Sequence, residues 1–302
     1  MNYIFPFLAA LLWGANTVVT KEASGHISPN EISFLRWLIA TIVLTPFVFQ
    51  PLRIHASVVK PNLGKFFLLG LLGGVTFQCL AYYAANFTTA LNMGIIQALM
   101  PLMAIFLTSV MFRSMPDLTT ILGALISLTG VMVVLSNGQI SHLLSKGLNT
   151  GDGMMLLGVF AMAIYNVLLK RWHINVPLIV SLYLQAVAAT VILLPIYLFS
   201  QKHALTLIST GLVLYSAIAA SILAPLAWMA GSQALGPSRV SLFFNMIPIF
   251  TTVIAVILLS EPLSTAMLLG GGLTLAGVIF VEITSRSLDK PDENFEKNQH
   301  KK

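Results

Sequence analysis

GALISLTGV, residues 123–131, returns 147 positions later as GGGLTLAGV, residues 270–278. The match extends without gaps over residues 82–135 and 229–282, and earlier segments pair at a difference of 149. Coinciding pairs are Pro101 and Pro248, Lys21 and Lys170, and Pro46 and Pro195. Self-similarity at a fixed period is the signature of a repeat architecture, so the sequence predicts two related halves.

The composition indicates a membrane protein. Apolar residues make up 57% of the 302 positions, charged residues 9%, and the mean hydropathy is +0.89. A soluble domain carries roughly 25% charged residues. The single cysteine, Cys79, excludes an intrachain disulfide and a cysteine-cluster metal site.

Charges, prolines and turn residues divide the chain into segments of the roughly 20 residues that a spanning helix needs. The predicted fold is an all-α integral membrane protein with ten transmembrane helices as two inverted five-helix repeats. The predicted helices cover residues 3–21, 31–50, 64–86, 91–112, 118–136, 153–171, 177–200, 208–233, 238–259 and 265–284. The first of these is predicted to be retained as a helix and not cleaved as a signal peptide.

Two boundaries define the predicted domain organisation. A single transmembrane domain covers residues 1–285, with repeat one at about 3–136 and repeat two at about 153–284. A cytoplasmic disordered tail covers residues 286–302, which mix lysines with acidic residues.

The relation between the halves follows from their helix count. Five is odd, so the second half must enter the membrane from the opposite side, and the axis that relates the halves lies in the membrane plane. Lysine and arginine asymmetry favours cytoplasmic termini. That orientation places seven basic residues of the short loops inside, namely Arg53, Lys60, Lys65, Arg113, Lys170, Arg171 and Arg239, and leaves Lys21, Lys146 and Lys202 outside.

Several short motifs resemble the EamA-type transporters of the drug/metabolite transporter superfamily. They are WGAN at 13–16 followed by Lys21, Arg36, QALMP at 97–101, Glu261-Pro262 and the glycine phrase of 270–277. The resemblance covers nearly all of residues 3–284. It implies a ten-helix inverted-repeat fold in a bacterial inner membrane and export of amino acids or other small metabolites. The first half departs from the pattern, because RSMP at 113–116 replaces the acidic turn.

Polar and aromatic side chains within the spans are the candidate solute-binding residues, because such groups are costly in lipid unless they are paired or face a cavity. The candidates are Trp13, Asn16, Arg36, Gln78, Tyr82, Gln97, Tyr165, Asn166, Trp228 and Asn245. For the amides, hydrogen bonding between helices is the alternative. For the aromatic residues, a belt at the membrane interface is the alternative.

Arg36 and two prolines, Pro101 and Pro248, have alternative predicted roles. Arg36 either snorkels to the outer interface, makes a structural contact or binds a solute carboxylate, and its repeat partner is the uncharged Gln185. Pro101 and Pro248 interrupt helices at equivalent places and are the candidate gating residues, with simple kinks as the alternative.

The predicted function is transport of a small organic solute by alternating access, and a membrane-embedded enzyme or a receptor is the alternative. The six histidines fall in predicted loops, interfaces or the tail, so no catalytic residue, cofactor or metal site is predicted. The expected partners are a small-molecule substrate and the lipid bilayer, without nucleic acid, and a homodimer is left open. Facilitated diffusion or exchange is expected, against proton coupling through Glu261 or Glu282.

Overall fold

A computed structural model describes residues 2–112, 118–136, 138–139, 149–202, 204–235, 243 and 246–288. This part of the chain is helical and contains no strand. Six of its helices are long and apolar enough to cross a membrane. They are α1 (Ile4–Ala23), α2 (Pro29–Ile54), α3 (Ala56–Ala84), α7 (Thr150–Trp172), α8 (Leu178–Phe199) and α9, which joins Leu207–Leu214, Tyr215–Leu223 and Ala224–Leu235.

The remaining helices contain shorter apolar stretches. They are α4 (Ala90–Gln97), α5 (Met100–Phe112), α6 (Leu118–Leu135), α10 (Ile247–Leu258) and α11 (Thr265–Leu288). Large apolar side chains cover the outside of the molecule; Phe199, for example, is 93% exposed and Leu207 is 91% exposed. An apolar exterior of this kind suits a hydrocarbon surrounding.

Local sequence explains where the helices begin. Ser28 and Glu31 form a capping box, in which each side chain binds the other residue's backbone N–H, and Pro29 occupies the first turn of α2. Thr89 caps α4 by accepting a hydrogen bond from the N–H of Asn92.

Some predicted boundaries move. The break predicted near residues 86–89 is present, because α3 ends at Ala84 and the next helix begins at Ala90. The single helix predicted over 91–112 is instead divided between Gln97 and Met100. The last helix continues to Leu288, which includes the first residues assigned to the tail, and residues 289–302 lie outside the described part.

Both α3 and α9 contain a π-helical segment. It covers Gly70–Phe77 in α3 and Tyr215–Leu223 in α9, nearly 147 residues apart. π-helical turns are rare and frequently lie at functional sites. The two segments therefore fall at nearly the repeat spacing found in the sequence.

α2 and α8 pack against each other in opposite directions. Thr41 and Thr190 form a hydrogen bond between hydroxyls 3.3 Å apart, and their numbers differ by 149. Earlier along α2, the ring of Phe34 stacks on that of Tyr197, near the far end of α8. Thr45 donates a hydrogen bond to the Tyr183 hydroxyl, at 3.4 Å, on the other side of the crossing. The contacts thus move backwards along α8 as they advance along α2.

α6 and α11 cross in the same manner, with backbones in close contact. A Cβ built on Gly270 would lie 2.5 Å from the carbonyl oxygen of Gly130, and one built on Gly277 would lie 2.5 Å from that of Gly123. Thr274 donates to the carbonyl of Ser127, 147 residues away, at 3.4 Å. Small residues allow such close approach between helices in a membrane. The repeated glycine-containing stretches, 123–131 and 270–278, are therefore the surfaces through which α6 and α11 pack.

Candidate solute-binding cavity

A cavity of about 300 Å³ lies among the long helices and reaches α4, α5 and α10. Its volume is at the small end of the usual range for ligand pockets. Eight of the ten candidate residues line it, namely Trp13, Asn16, Arg36, Gln78, Gln97, Tyr165, Asn166 and Trp228. No cluster of three metal-ligating side chains occurs in the described ranges.

The lining residues come largely in pairs at the repeat spacing. At a difference of 149, the lining pairs are Trp13 and Met162, Asn16 and Tyr165, Thr17 and Asn166, Thr20 and Leu169, and Arg36 and Gln185. At a difference of 147, they are Gly73 and Ala220, Gly74 and Ser221, Gln78 and Pro225, Ala81 and Trp228, and Met100 and Ile247. Residue pairs at the repeat spacing therefore line one cavity.

Arg36 turns into the molecule and is only 2% exposed, so it does not snorkel to the interface. Its Nε donates to the Ser221 hydroxyl at 2.5 Å. One terminal nitrogen, Nη1, donates to Gln78 Oε1 at 2.8 Å and to the Tyr82 hydroxyl at 3.3 Å. Residues from α3 and α9 thus fix a guanidinium that belongs to α2.

The acceptors around Arg36 are neutral, and their own protons are directed elsewhere. Tyr82 donates to the Ser216 hydroxyl at 3.1 Å, and Ser221 donates to the Ser216 carbonyl at 2.8 Å. The ion pair found within the described residues joins His26 and Glu22, so no carboxylate of this part neutralises Arg36. A buried charge without a counterion carries a desolvation cost of several kcal/mol, roughly.

Aromatic side chains form one wall of the cavity. The rings of Trp13 and Trp228 tilt against each other with centroids 5.6 Å apart. The indole N–H of Trp13 donates to the Ala220 carbonyl at 3.2 Å, and that of Trp37 donates to Gly74 at 2.8 Å. Both acceptors lie in the π-helical segments, so these segments position the aromatic wall.

The amide side chains divide into two groups. Gln97 donates a hydrogen bond to Thr17 Oγ1 at 3.0 Å, which joins α4 to α1. It therefore makes a contact between helices and also lines the cavity. Asn166 approaches the sulfur of Met100 at 3.6 Å. The Oδ1 of Asn16 is buried and finds no donor among the described residues. Asn16 therefore retains an unused acceptor beside the cavity.

Tyr82 does not line the cavity. It is 2% exposed, and its hydroxyl accepts a hydrogen bond from Arg36. Asn245 lies outside the described residues, as does the side chain of Pro101. Pro101 and Pro248 are each the second residue of a helix, where proline's missing N–H would have had no intrahelical partner. Each proline therefore lies in the first turn of a helix, and their gating role stays a prediction.

Sequence reasoning missed several lining residues. Trp37, Ser221 and the methionines Met93, Met100 and Met162 were not selected, and Gln185 was considered only as the partner of Arg36. A usable signal was present, because adding the repeat spacing to Gly74 gives Ser221 and adding it to Trp13 gives Met162.

Polar contacts secure one end of the bundle around the break between α3 and α4. Both carboxylate oxygens of Glu261 accept backbone hydrogen bonds, from Ala90 at 2.9 Å and from Leu91 at 3.1 Å. Lys21 donates to the Ala85 carbonyl at 2.7 Å. The two charged side chains thus satisfy backbone groups that lack intrahelical partners at a helix start and at a helix end.

Comparison with known proteins identifies the family of this helical fold. The model of the EamA-like transporter family matches residues 1–136 and 149–283. The chain belongs to the EamA-like transporter family. This EamA-like chain is therefore a multi-pass membrane transporter.

The sequences of individual relatives align with this chain over most of their lengths. The chain is 26% identical to the uncharacterized transporter YyaM of Bacillus subtilis over 282 residues, which cover 92% of each protein. It is 22% identical to the uncharacterized inner membrane transporter YicL of Salmonella typhimurium, over 92% of this chain and 94% of that protein. A solved crystal structure superposes with a TM-score of 0.66 at 18% identity, covering 95% of this chain and 98% of the other. That likeness concerns the fold alone.

Proposed function

We propose that this EamA-like protein exports a small organic solute, an amino acid or a related metabolite, across a bacterial inner membrane by alternating access. The observation that carries the proposal is the cavity lined by residue pairs at the repeat spacing. A cavity between equivalent halves gives two packings of similar free energy, one open to each side. The solute would bind in the cavity and be released on the opposite side.

The proposal includes ten spanning helices in two inverted halves. Its support is the opposite direction of α2 and α8 and of α6 and α11, since each pair occupies equivalent repeat positions. The family match also falls in two stretches of nearly equal length. Cytoplasmic termini follow from the excess of lysine and arginine in loops on one side.

The cavity composition favours facilitated diffusion or exchange over proton coupling. Its lining, within the described residues, includes neither aspartate nor glutamate. Glu261 is engaged with the backbone of α4 and lies away from the lining. A carrier driven by protons commonly places a titratable acid within the membrane pathway.

The test is solute counterflow in liposomes that contain the purified protein. Liposomes preloaded with an unlabelled amino acid are expected to accumulate its labelled form transiently, and protein-free liposomes are not. A panel of amino acids and metabolites identifies the solute. Folded protein that exchanges none of them would contradict transport, and strong accumulation driven only by a pH gradient would contradict the uncoupled mechanism.

A further inference from the structure

Arg36 is a buried cation that borders the cavity without a counterion in the described part of the protein. A guanidinium has five N–H donors. Ser221, Gln78 and Tyr82 engage Nε and Nη1, while Nη2 has no acceptor among the described residues. The arginine therefore has unused donors at a point where a solute can reach it.

The surroundings of Arg36 hold the guanidinium without neutralising it. Three neutral oxygens accept from it, and two of those groups donate onward to Ser216. The face of the Trp37 ring also lies nearby, with Arg36 Cζ 5.4 Å from its centroid. Such contacts lower the cost of burial, but the positive charge remains to attract an anion.

Resting on the proposed function, we infer that Arg36 binds the carboxylate of the transported solute. The solute is an organic carboxylate with an apolar or aromatic body. The two free N–H groups of Nη2 can make charge-assisted hydrogen bonds to a carboxylate, and these are stronger than hydrogen bonds to a neutral amide. The body of the solute lies against Trp13, Trp228 and the methionines that line the same cavity.

The charge of the cavity lining differs between the two positions of one repeat pair. Gln185 occupies the position equivalent to Arg36 and also lines the cavity, but it has no charge. Asn16 also lines the cavity and contributes a neutral amide to it. Since the described lining contains no acidic residue, a solute whose only charge is positive has no ionic partner there.

Matched probes test the inference on the unmodified protein. Binding of 3-phenylpropionate, 3-phenylpropionamide and phenethylamine is compared by thermal shift and by competition in counterflow, with branched-alkyl and indole sets alongside. In at least one set the carboxylate is expected to bind about 10- to 100-fold more tightly than its amide and amine, the range of a charged hydrogen-bond pair. A panel in which no carboxylate binds more tightly than its amide overturns the inference.

Variants test the role of Arg36 itself. Arg36→Gln is expected to weaken carboxylate binding by about 10- to 100-fold, and Arg36→Lys less, because lysine keeps the charge without the planar fork. Arg53→Gln is the matched control, since Arg53 lies on the same helix, is exposed and stacks on Phe49. Unchanged carboxylate binding in folded Arg36→Gln would overturn the inference.

A second variant avoids the hazard that loss of Arg36 prevents folding. Gln78→Glu keeps the shape of the side chain and places a carboxylate within 2.8 Å of Nη1, where it neutralises the guanidinium internally. Carboxylate affinity is expected to fall about tenfold or more, while affinity for the neutral amide is retained. An unaltered preference for the carboxylate would count against Arg36 as the anion site.

The outcomes separate this inference from the proposed function. Counterflow of neutral solutes with no preference for carboxylates would leave transport standing and remove the anion site. Carboxylates that bind through Arg36 but are never exchanged would leave the anion site standing and remove transport.

Discussion

The hydroxyls of Thr41 and Thr190 hydrogen-bond to each other across 149 residues of sequence, at 3.3 Å. Their numbers differ by the spacing of the earlier repeat pairs. The contact therefore brings two equivalent repeat positions together at the crossing of α2 and α8.

This crossing can be tested by cross-linking. In a Cys79→Ala background, which has no other cysteine, Thr41→Cys and Thr190→Cys together are expected to form a disulfide on mild oxidation, because the replaced oxygens are already in contact. A protease site inserted between residues 140 and 148 allows the bond to be detected as two halves that separate only after reduction. The single variant Thr41→Cys is the control. Halves that separate without reduction would contradict the pairing.

The glycine contacts between α6 and α11 predict a sharp contrast within one helix. Gly270→Ala is expected to destabilise the protein by about 1–3 kcal/mol, because the added Cβ meets the backbone of Gly130. Gly272→Ala is the control, since nothing lies within 4 Å of its Cβ and alanine favours helix. The measurement is the melting temperature in detergent. Equal melting temperatures for both variants would contradict the close crossing.

Glu261 predicts a stability effect through α4. Glu261→Ala removes two backbone hydrogen bonds at a helix start and is expected to cost about 0.5–2 kcal/mol, while Glu261→Gln retains an acceptor and costs less. Glu22→Gln is the control, because Glu22 is half-exposed and its carboxylate pairs with the neighbouring His26, just after the end of the same helix. Melting temperature ranks the three variants. A loss in Glu22→Gln as large as that in Glu261→Ala would refute the cap.

Tryptophan fluorescence provides a direct readout of cavity occupation. Three of the four tryptophans line the cavity, and Trp172 does not. The solute that exchanges best in liposomes is expected to change the emission of the unmodified protein and of Trp172→Phe alike. The change is expected to shrink in Trp13→Phe and Trp228→Phe, because these rings form the wall. A signal lost only in Trp172→Phe would place binding elsewhere.

The sequence predicted the membrane class and eight of the residues that line the cavity, because both depend on patterns along single helices. Trp13 and Asn16 share a helix face whatever their neighbours are. The direction of Arg36 could not be predicted, since a side chain near a helix end can turn outward or inward. Its inward turn depends on Ser221, which is 185 residues away.

The contact of Glu261 with the start of α4 could not be predicted from the sequence either. The role of Glu261 depends on the backbone N–H groups of Ala90 and Leu91, in the other half of the chain. Nothing in the local sequence of either segment indicates this contact.

The pairing of Arg36 with Gln185 makes the two repeated stretches chemically unequal at the cavity. Two identical stretches would present the same side chain at both positions. Because one position is charged and the other is neutral, exchanging the two stretches would change which of them supplies the positive charge to the cavity. Replacing either stretch by a second copy of the other would therefore remove or double the positive charge of the cavity lining.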